Sequence, residues 1–248
     1  MIRPAPNRHS AKPLESRLKK IVVNLRRQFT VYITPRTLSD SEIDAFRTRL
    51  CRAAEKRFAR HGVEGVTLRQ LARDLGCSAM TPYRYFRDKD EIVAAVRTAA
   101  LDRFAETLEL AAKTKGNARQ RGRAVGQAYI RFALENPDSY RLMYDPMQPD
   151  AARFPDLARA QARSRRTMSA YVEDLVAEGE LQGDPEILGH IFWATVHGLV
   201  SLKLVNRLGE NVDFDDLYRT AMRLLAQGAR EKRATQPQST TKQARRRA

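Results

Sequence analysis

The segment from Thr81 to Tyr85 combines a hydroxyl, two tyrosines and an arginine within a few residues. Hydroxyl and tyrosine side chains bind phosphate oxygens, and arginine donates paired hydrogen bonds to O6 and N7 of guanine. These residue types at this spacing favour the noncovalent recognition of nucleic acid.

Side chains that could catalyse a reaction or ligate a metal are few. The histidines at positions 9, 61, 190 and 197 form no HExxH pair, and the chain has no GxSxG, P-loop or GxGxxG motif. Cys51 and Cys77 lie far apart without metal-ligand spacing, which indicates a reduced, cytoplasmic protein without a zinc site. We therefore expect neither an enzyme nor a cofactor.

The residues around the segment predict a helix-turn-helix. Thr67 is suited to cap a helix over 68–75, and Gly76 is suited to the turn before a second helix over 79–86. Ala72 is small enough to let the two helices touch. The second helix would lie in the major groove of a duplex.

The second helix has two kinds of side chain. Thr81, Arg84 and Tyr85 are expected to face the duplex. Tyr83 and Phe86 are three residues apart and are suited to face inward, and for both of them core packing and DNA contact remain alternatives.

The remaining sequence predicts an all-α protein. Glycine and proline fall between helical patterns, and no long stretch alternates like a half-buried strand. Ser39 with Glu42, and Asp88 with Glu91, have the spacing of a capping box. The predicted helices bring the total to about nine, with a short one over 138–144 and longer ones over 41–60, 88–113, 117–136, 155–178, 185–208 and 214–229.

The net charge of +16 lies mostly at the two ends of the chain. Residues 1–38 hold nine basic residues and one acidic residue, and residues 230–248 hold seven and one. Residues 98–229 are nearly neutral. This distribution favours a polyanionic partner reached by the ends, and the alternative is that the ends only aid solubility.

Residues 14–30 carry an apolar stripe of helical spacing among basic residues. A basic amphipathic helix can lie on a membrane, on nucleic acid or on a protein. A start codon assigned too early is a further alternative, although the next methionine is Met80. We expect no transmembrane helix and no secretory signal.

Residues 53–96 resemble the N-terminal domain of the TetR/AcrR (tetracycline-repressor-like) family. In this chain Pro82 replaces the usual leucine of the family pattern, at a first helical turn where proline is tolerated. Arg84 takes a variable position, which makes it the candidate for base specificity. The matching positions agree in order and spacing: Ala54, Phe58, Gly62, Thr67, Leu71, Ala72, Gly76, Ser78, Tyr83, Tyr85, Phe86, Lys89 and Ile92.

The resemblance implies a DNA-binding transcription regulator. Thr67 would cap its helix and touch a phosphate, and Lys89 would meet another phosphate. The residues expected to contact DNA are Thr67, Arg69, Ser78, Ala79, Thr81, Tyr83, Arg84, Tyr85 and Lys89.

Residues 191–204 resemble the Trp…His-Gly signature of one C-terminal domain in the same family. Trp193, His197 and Gly198 carry this signature, and residues 140–145 resemble the segment that usually precedes it. The resemblance implies a homodimer made by the last two long helices and a small-effector pocket in the helical body. A histidine beside a tryptophan is more often structural than a ligand contact.

Two sets of residues follow from this interpretation. The candidate pocket residues are aromatic, histidine or methionine side chains, although such stripes are usually core: Phe104, Tyr129, Phe132, Met143, Tyr144, Met168, Tyr171, Trp193 and His197. The candidate dimer residues are Gly198, Leu199, Leu202, Leu217, Met222 and Leu225.

The leading hypothesis is a cytoplasmic, homodimeric repressor that binds a palindromic operator and leaves it when a small effector binds. The alternative is an orphan or architectural DNA-binding protein without an effector. The expected regions are a basic extension over 1–38, a DNA-binding domain over 39–97, an effector and dimerisation domain over 98–230, and a disordered basic tail over 231–248.

Overall fold

A computed structural model describes residues 39–146 and 149–230. The predictions for residues 1–38 and 231–248 therefore lie outside the described residues. The described residues fall into two units that divide between Ile43 and Asp44. Every regular element in the described ranges is helical, which confirms the all-α prediction.

Helix α1, Asp40–His61, begins at the predicted capping box. The Glu42 backbone N–H donates to Ser39 Oγ at 3.3 Å, and the Ser39 N–H donates to the Glu42 carboxylate at 2.9 Å. The helix ends before Gly62, whose φ of +69° lies in the left-handed region that glycine adopts without strain. Its buried residues recur at intervals of four: Phe46, Leu50, Ala54 and Phe58.

Helix α2, Leu68–Asp74, begins at a capping box between Thr67 and Gln70. The helix predicted over 79–86 is wrong in extent, because the structure has only a 3₁₀ turn there, Pro82–Arg84. Proline lacks the N–H that an α-helix needs to extend through this point. The turn is therefore held by bonds such as Arg84 N–H to Thr81 O, at 3.1 Å.

Six longer helices follow the 3₁₀ turn. They are α3 (Lys89–Ala112), α4 (Ala118–Glu135), α5 (Pro137–Tyr144), α6 (Pro155–Ala177), α7 (Pro185–Leu204) and α8 (Phe214–Gly228). Helix α3 packs against α4, α5 and α6, while α6 packs on α7 and α7 packs on α8. Asp88, Asn117 and Asp184 cap α3, α4 and α7, as the start signals in the sequence indicate.

Helix α7 is shorter than the predicted 185–208. Asn206, with a φ of 52°, ends it before the glycine that we expected to act as the stop signal. The Asn206 N–H donates to Lys203 O at 3.1 Å, and the Arg207 N–H donates to Leu202 O at 2.9 Å. This is the Schellman arrangement, with asparagine where glycine is more usual.

The second unit contains two large apolar clusters. We call residues 44–96 the head and residues 97–146 and 149–230 the body. The body core is built around Phe104, Tyr129 and Phe132. Leu142, which lies on body helix α5, is buried in the head core with these residues: Phe46, Leu50, Ala54, Phe58, Val66, Leu68, Leu71, Phe86, Ile92, Val93 and Val96.

Among the described helices, α7 alone is long and apolar enough to cross a membrane by length and composition. One such helix is a weak indication, because core helices of other proteins share these properties. Only 22% of the apolar 18-residue stretch of α7 is buried. Ile187, Ile191 and Leu202 are 60%, 41% and 43% exposed, so α7 presents an uncovered apolar face.

Candidate functional site

The residues expected to contact DNA lie at the start of α2 and between the turn and the start of α3. None of them is buried, so all are accessible to a ligand. Thr81, Tyr85 and Lys89 are partly exposed, and the others are exposed: Thr67, Arg69, Ser78, Ala79, Tyr83 and Arg84.

Tyr83 and Phe86 do not share a face. Phe86 is 2% exposed and belongs to the head core, whereas Tyr83 is 52% exposed, so an inward position for Tyr83 is wrong. The reason is that the helical turn ends at Arg84, before Phe86 comes back onto the face of Tyr83. Pro82 is buried instead.

Helix α1 fixes this segment through contacts that the sequence analysis missed. The Phe46 ring stacks on Tyr85, with the ring centroids 4.1 Å apart. The Arg47 guanidinium lies 4.0 Å from the Phe86 ring centroid, donates to the Tyr85 carbonyl and approaches the Glu91 carboxylate at 3.4 Å. Contacts with α1 therefore fix the position of Tyr85.

The exposed edge of the turn keeps polar groups available. Arg84 is exposed and has no ion-pair partner among the described acidic side chains. Its neighbour Arg87, in contrast, lies 3.1 Å from Glu91. The Ser78 and Thr81 hydroxyls are 3.0 Å apart, which ties the start of the turn together. A free guanidinium on a held turn suits the reading of a base edge.

Polar contacts connect the head to the body. Glu55 on α1 accepts hydrogen bonds from Arg103 on α3, at 2.6 Å, and from Ser139 on α5. Arg153 lies 3.4 Å from the carboxylate of Asp90, at the start of α3. Together with Leu142, these contacts make α5 an element that touches both parts.

The other face of α5 enters an aromatic cluster in the body. Tyr129 Oη and Tyr140 Oη are 2.9 Å apart, and Tyr140 Oη is 2.7 Å from His197 Nδ1. The Tyr144 ring centroid lies 4.3 Å from that of His197 and 6.2 Å from that of Trp193. We call these five residues the aromatic cluster.

The candidate pocket residues meet in and around the body core. Trp193 and His197 join the aromatic cluster, while Tyr171 also borders a smaller apolar cluster beside Val172. Tyr140 was missed, although its four-residue spacing from Tyr144 was a signal. The candidate pocket residues that are buried in the body core or packed against it are Phe104, Tyr129, Phe132, Met143, Tyr144, Met168, Tyr171 and Trp193. Whether this region takes an effector stays a prediction.

The aromatic cluster is uncharged near neutral pH. Burial raises the pKa of the Tyr129, Tyr140 and Tyr144 hydroxyls above their usual value. Burial also lowers the pKa of His197 below its usual value of 6.5. The cluster therefore offers hydrogen bonds without a net charge.

We expect acid to destabilise the protein partly through His197. The folded state keeps this imidazole neutral while the unfolded state binds a proton, so stability is intact above about pH 6.5 and declines as the pH falls below it. Urea unfolding at about pH 7.5 and about pH 5.5 would measure this loss in the wild type and in His197→Gln. The loss should be smaller in the variant. The exposed His190→Gln is the control, and an equal loss in all three proteins would contradict the assignment.

The candidate dimer residues differ in environment. Leu202 is exposed, and a Cβ added at Gly198 would meet no atom within 4 Å. Leu199 packs on the body core, whereas Met222 and Leu225 pack beside Leu181 within the same chain. Leu217 is half-buried. Besides Leu202, the uncovered apolar side chains on these last two helices include Ile187 and Ile191 of α7 and Leu224 of α8, which is 60% exposed.

Within the described ranges, no three histidine, cysteine or acidic side chains are grouped to hold a metal ion.

Two family models match separate parts of the chain. One, described as bacterial regulatory proteins of the tetR family, matches residues 50–96. The other, described as a tetracyclin repressor-like C-terminal domain, matches residues 123–225. The two matches cover both segments in which the sequence analysis found a resemblance.

Three known proteins with similar sequences or folds illustrate the match, and two of them are named as transcriptional regulators. The HTH-type transcriptional regulator Rv1816 of Mycobacterium tuberculosis is 24% identical over 204 residues, which are 67% of this chain and 86% of the relative. A Rhodococcus protein of unknown function is 28% identical, with a TM-score of 0.66 over 80% of this chain and 100% of its own. The ketosteroid transcriptional regulator KstR2 of M. tuberculosis, 18% identical, shares the fold with a TM-score of 0.57 over 75% of this chain and 96% of its own.

Proposed function

Because the chain belongs to the TetR family of bacterial regulatory proteins, a non-enzymatic class of DNA-binding transcriptional regulators, we propose that it is a homodimeric repressor in the cytoplasm that a small effector releases from its operator. The observation that carries the proposal is the held turn at Pro82–Arg84, which presents an unpaired Arg84 to solvent. The expected DNA contacts are those named from the sequence.

Specific reading of DNA follows from the rigidity of this turn. Stacking on Phe46 fixes Tyr85, and the contact with Arg47 fixes Phe86. The backbone of Arg84, which directly precedes these two residues, is therefore fixed as well. Because the backbone is already fixed, only the Arg84 side chain has to be ordered when it binds guanine, which reduces the entropic cost of binding. The hydroxyls of Thr67 and Thr81 and the Lys89 ammonium suit the phosphates on either side.

The proposed dimer uses the uncovered face of α7. Ile187, Ile191, Ala194 and Leu202 recur at helical spacing, and an exposed apolar face of this length is typical of a protein interface. A two-fold dimer through this face and α8 would form a four-helix bundle. It would present two heads to a palindromic operator.

The proposed response to the effector depends on α5. An effector that binds at the aromatic cluster would press on Tyr140 and Tyr144, and the opposite face of α5 carries Leu142 and Ser139 into contact with the head. A shift of α5 would then change the spacing of the two heads. Affinity for the operator would fall because the effector favours the shifted conformer.

Selection of bound DNA from random sequence, followed by footprinting, tests the proposal. We expect a site with two-fold symmetry whose half-sites lie about one turn of B-DNA or a multiple apart. A compound screen for release of that DNA tests the effector. A site without symmetry would contradict the dimer, and a screen without any releasing compound would favour a DNA-binding protein without an effector.

We expect Arg84→Ala to weaken binding to the selected site by about 1–3 kcal/mol and to relax the preference at one base pair in each half-site. The physical reason is the loss of a guanidinium that pairs with a base edge. Fluorescence anisotropy with the selected duplex and with single-base variants measures both effects. The exposed Arg131→Ala on α4 is the matched control. Unchanged affinity and selectivity in Arg84→Ala would refute its role in base reading.

A further inference from the structure

Arg97 is a buried arginine that takes no part in the proposed DNA contacts. It lies on α3 and is only 1% exposed. Ala94 and Leu101, about one turn before and after it on the same face, are buried in the body core with Phe154 and Leu157. Arg97 is therefore a cation set among apolar side chains of the body.

The guanidinium of Arg97 is only partly paired. Its Nη2 lies 3.4 Å from the backbone carbonyl of Asp145 and 3.6 Å from the carboxylate of the same residue. Its Nε and Nη1 have no hydrogen-bond partner, although both atoms are buried. Burying charged donors without acceptors costs free energy. The site is thus short of hydrogen-bond acceptors for the guanidinium.

Two buried groups of the aromatic cluster are also incompletely hydrogen-bonded. The Trp193 indole N–H and the Tyr144 hydroxyl make no hydrogen bond of normal geometry, although they lie close enough to interact with each other, and Tyr144 directly precedes Asp145 in the chain. Indole can only donate, and a phenol donates readily. The interior of the body therefore has donors that a ligand with acceptor oxygens would satisfy.

We propose that Arg97 binds the carboxylate of an apolar organic acid, which replaces Asp145 as its partner. The inference deepens the proposed effector response and rests on it. A single guanidinium matches one carboxylate, and Ala94 and Leu101, which flank Arg97 along α3 within the apolar body core, suit a hydrocarbon group. A phosphate group fits less well, because a dianion would exceed the single charge of the guanidinium and would be repelled more strongly by the nearby Asp145 carboxylate.

Asp145 acts as an internal substitute for the ligand. Its side chain is 26% exposed, so the carboxylate has access to solvent when the acid displaces it. When the Asp145 carboxylate leaves, Nη2 becomes available beside Nε, which has no partner. Together these two nitrogens can hold a carboxylate side-on. Asp145 also ends α5, so the exchange acts directly on the helix that touches the head.

The test uses the full chain and pairs of probes that differ in charge. Butyrate, octanoate, dodecanoate and phenylacetate are each compared with the corresponding alcohol by thermal shift and by release of the selected DNA. At least one acid should stabilise the wild type where its alcohol does not. Arg97→Met should weaken binding of that acid by about tenfold or more, since a charge-assisted contact is lost. Asp145→Asn should tighten the binding, because the competing carboxylate is removed.

Two controls separate a lost contact from a lost fold. Arg131→Met makes the same substitution at an exposed position, and circular dichroism checks that every variant is folded. In the wild type, the acid should also shift the Arg97 Nε–H resonance, which Arg97→Met identifies by its absence. The inference is overturned if no acid outperforms its alcohol, or if Arg97→Met binds the acid as the wild type does.

The outcomes also distinguish this inference from the proposed function. An acid that binds at Arg97 without releasing DNA would support the carboxylate site and contradict its role in the effector response. A compound that releases DNA equally from the wild type and from Arg97→Met would support the repressor and contradict the site.

Discussion

Ile191→Asp should yield a monomer whose affinity for the operator is lower by about a hundredfold or more. Ile191 lies in the middle of the uncovered face of α7 and is 41% exposed in the single chain. In a two-fold interface each substitution occurs twice, and both carboxylates would be buried against apolar side chains. A monomer binds only one half-site and loses the gain that comes from linking two heads.

Sedimentation velocity measures the oligomeric state, and anisotropy with a full site and with a half-site measures the affinity. Leu110→Asp is the matched control, because Leu110 is 71% exposed on α3 and lies outside the proposed interface. The control should remain dimeric, and the two proteins should bind a half-site equally. A dimeric Ile191→Asp with unchanged operator affinity would exclude this face of α7 as the interface.

Leu142→Ala should lower the free energy of unfolding by about 2–5 kcal/mol. Leu142 is 2% exposed and lies in the head core although it belongs to a body helix. Truncation would leave a cavity between the two parts, lined by side chains such as Phe58 and Val93 that cannot fully close it. The variant should therefore also loosen the connection between α5 and the head.

Urea unfolding followed by circular dichroism measures the stability, and hydrogen exchange of head and body amides measures the connection. Leu110→Ala removes the same atoms from an exposed site and should change stability by no more than about 0.5 kcal/mol. In Leu142→Ala the head amides should exchange faster relative to the body amides. A loss as small as that of the control would mean that Leu142 does not join the two parts energetically.

Most of the helices were predictable because their signals are local. Capping residues such as Ser39, Asp88 and Asn117 act within the first turn of their own helix, so the sequence alone locates these starts. The end of α7 was not predictable in the same way. Asn206 takes a left-handed conformation that asparagine adopts in only some contexts, whereas Gly209 looked like the ordinary stop signal.

The candidate site was predictable in composition but not in arrangement. The residue types around Arg84 indicated DNA binding, yet the contact between Arg47 and Phe86 joins positions far apart in the sequence and left no periodic trace. Arg97 is the clearest example. Arginine is usually exposed, and nothing adjacent to it in the chain indicates that α3 would bury it.

The partly buried contact of Glu55 with Arg103 and Ser139 restricts the construction of chimeric regulators. A head transplanted onto the body of a relative would bring Glu55 to a junction where its two partners come from the new chain. Without a matching arginine and hydroxyl there, the graft would bury an uncompensated carboxylate. Exchange of DNA specificity between such proteins should therefore succeed more often when the partner positions on α3 and α5 are exchanged together with the head.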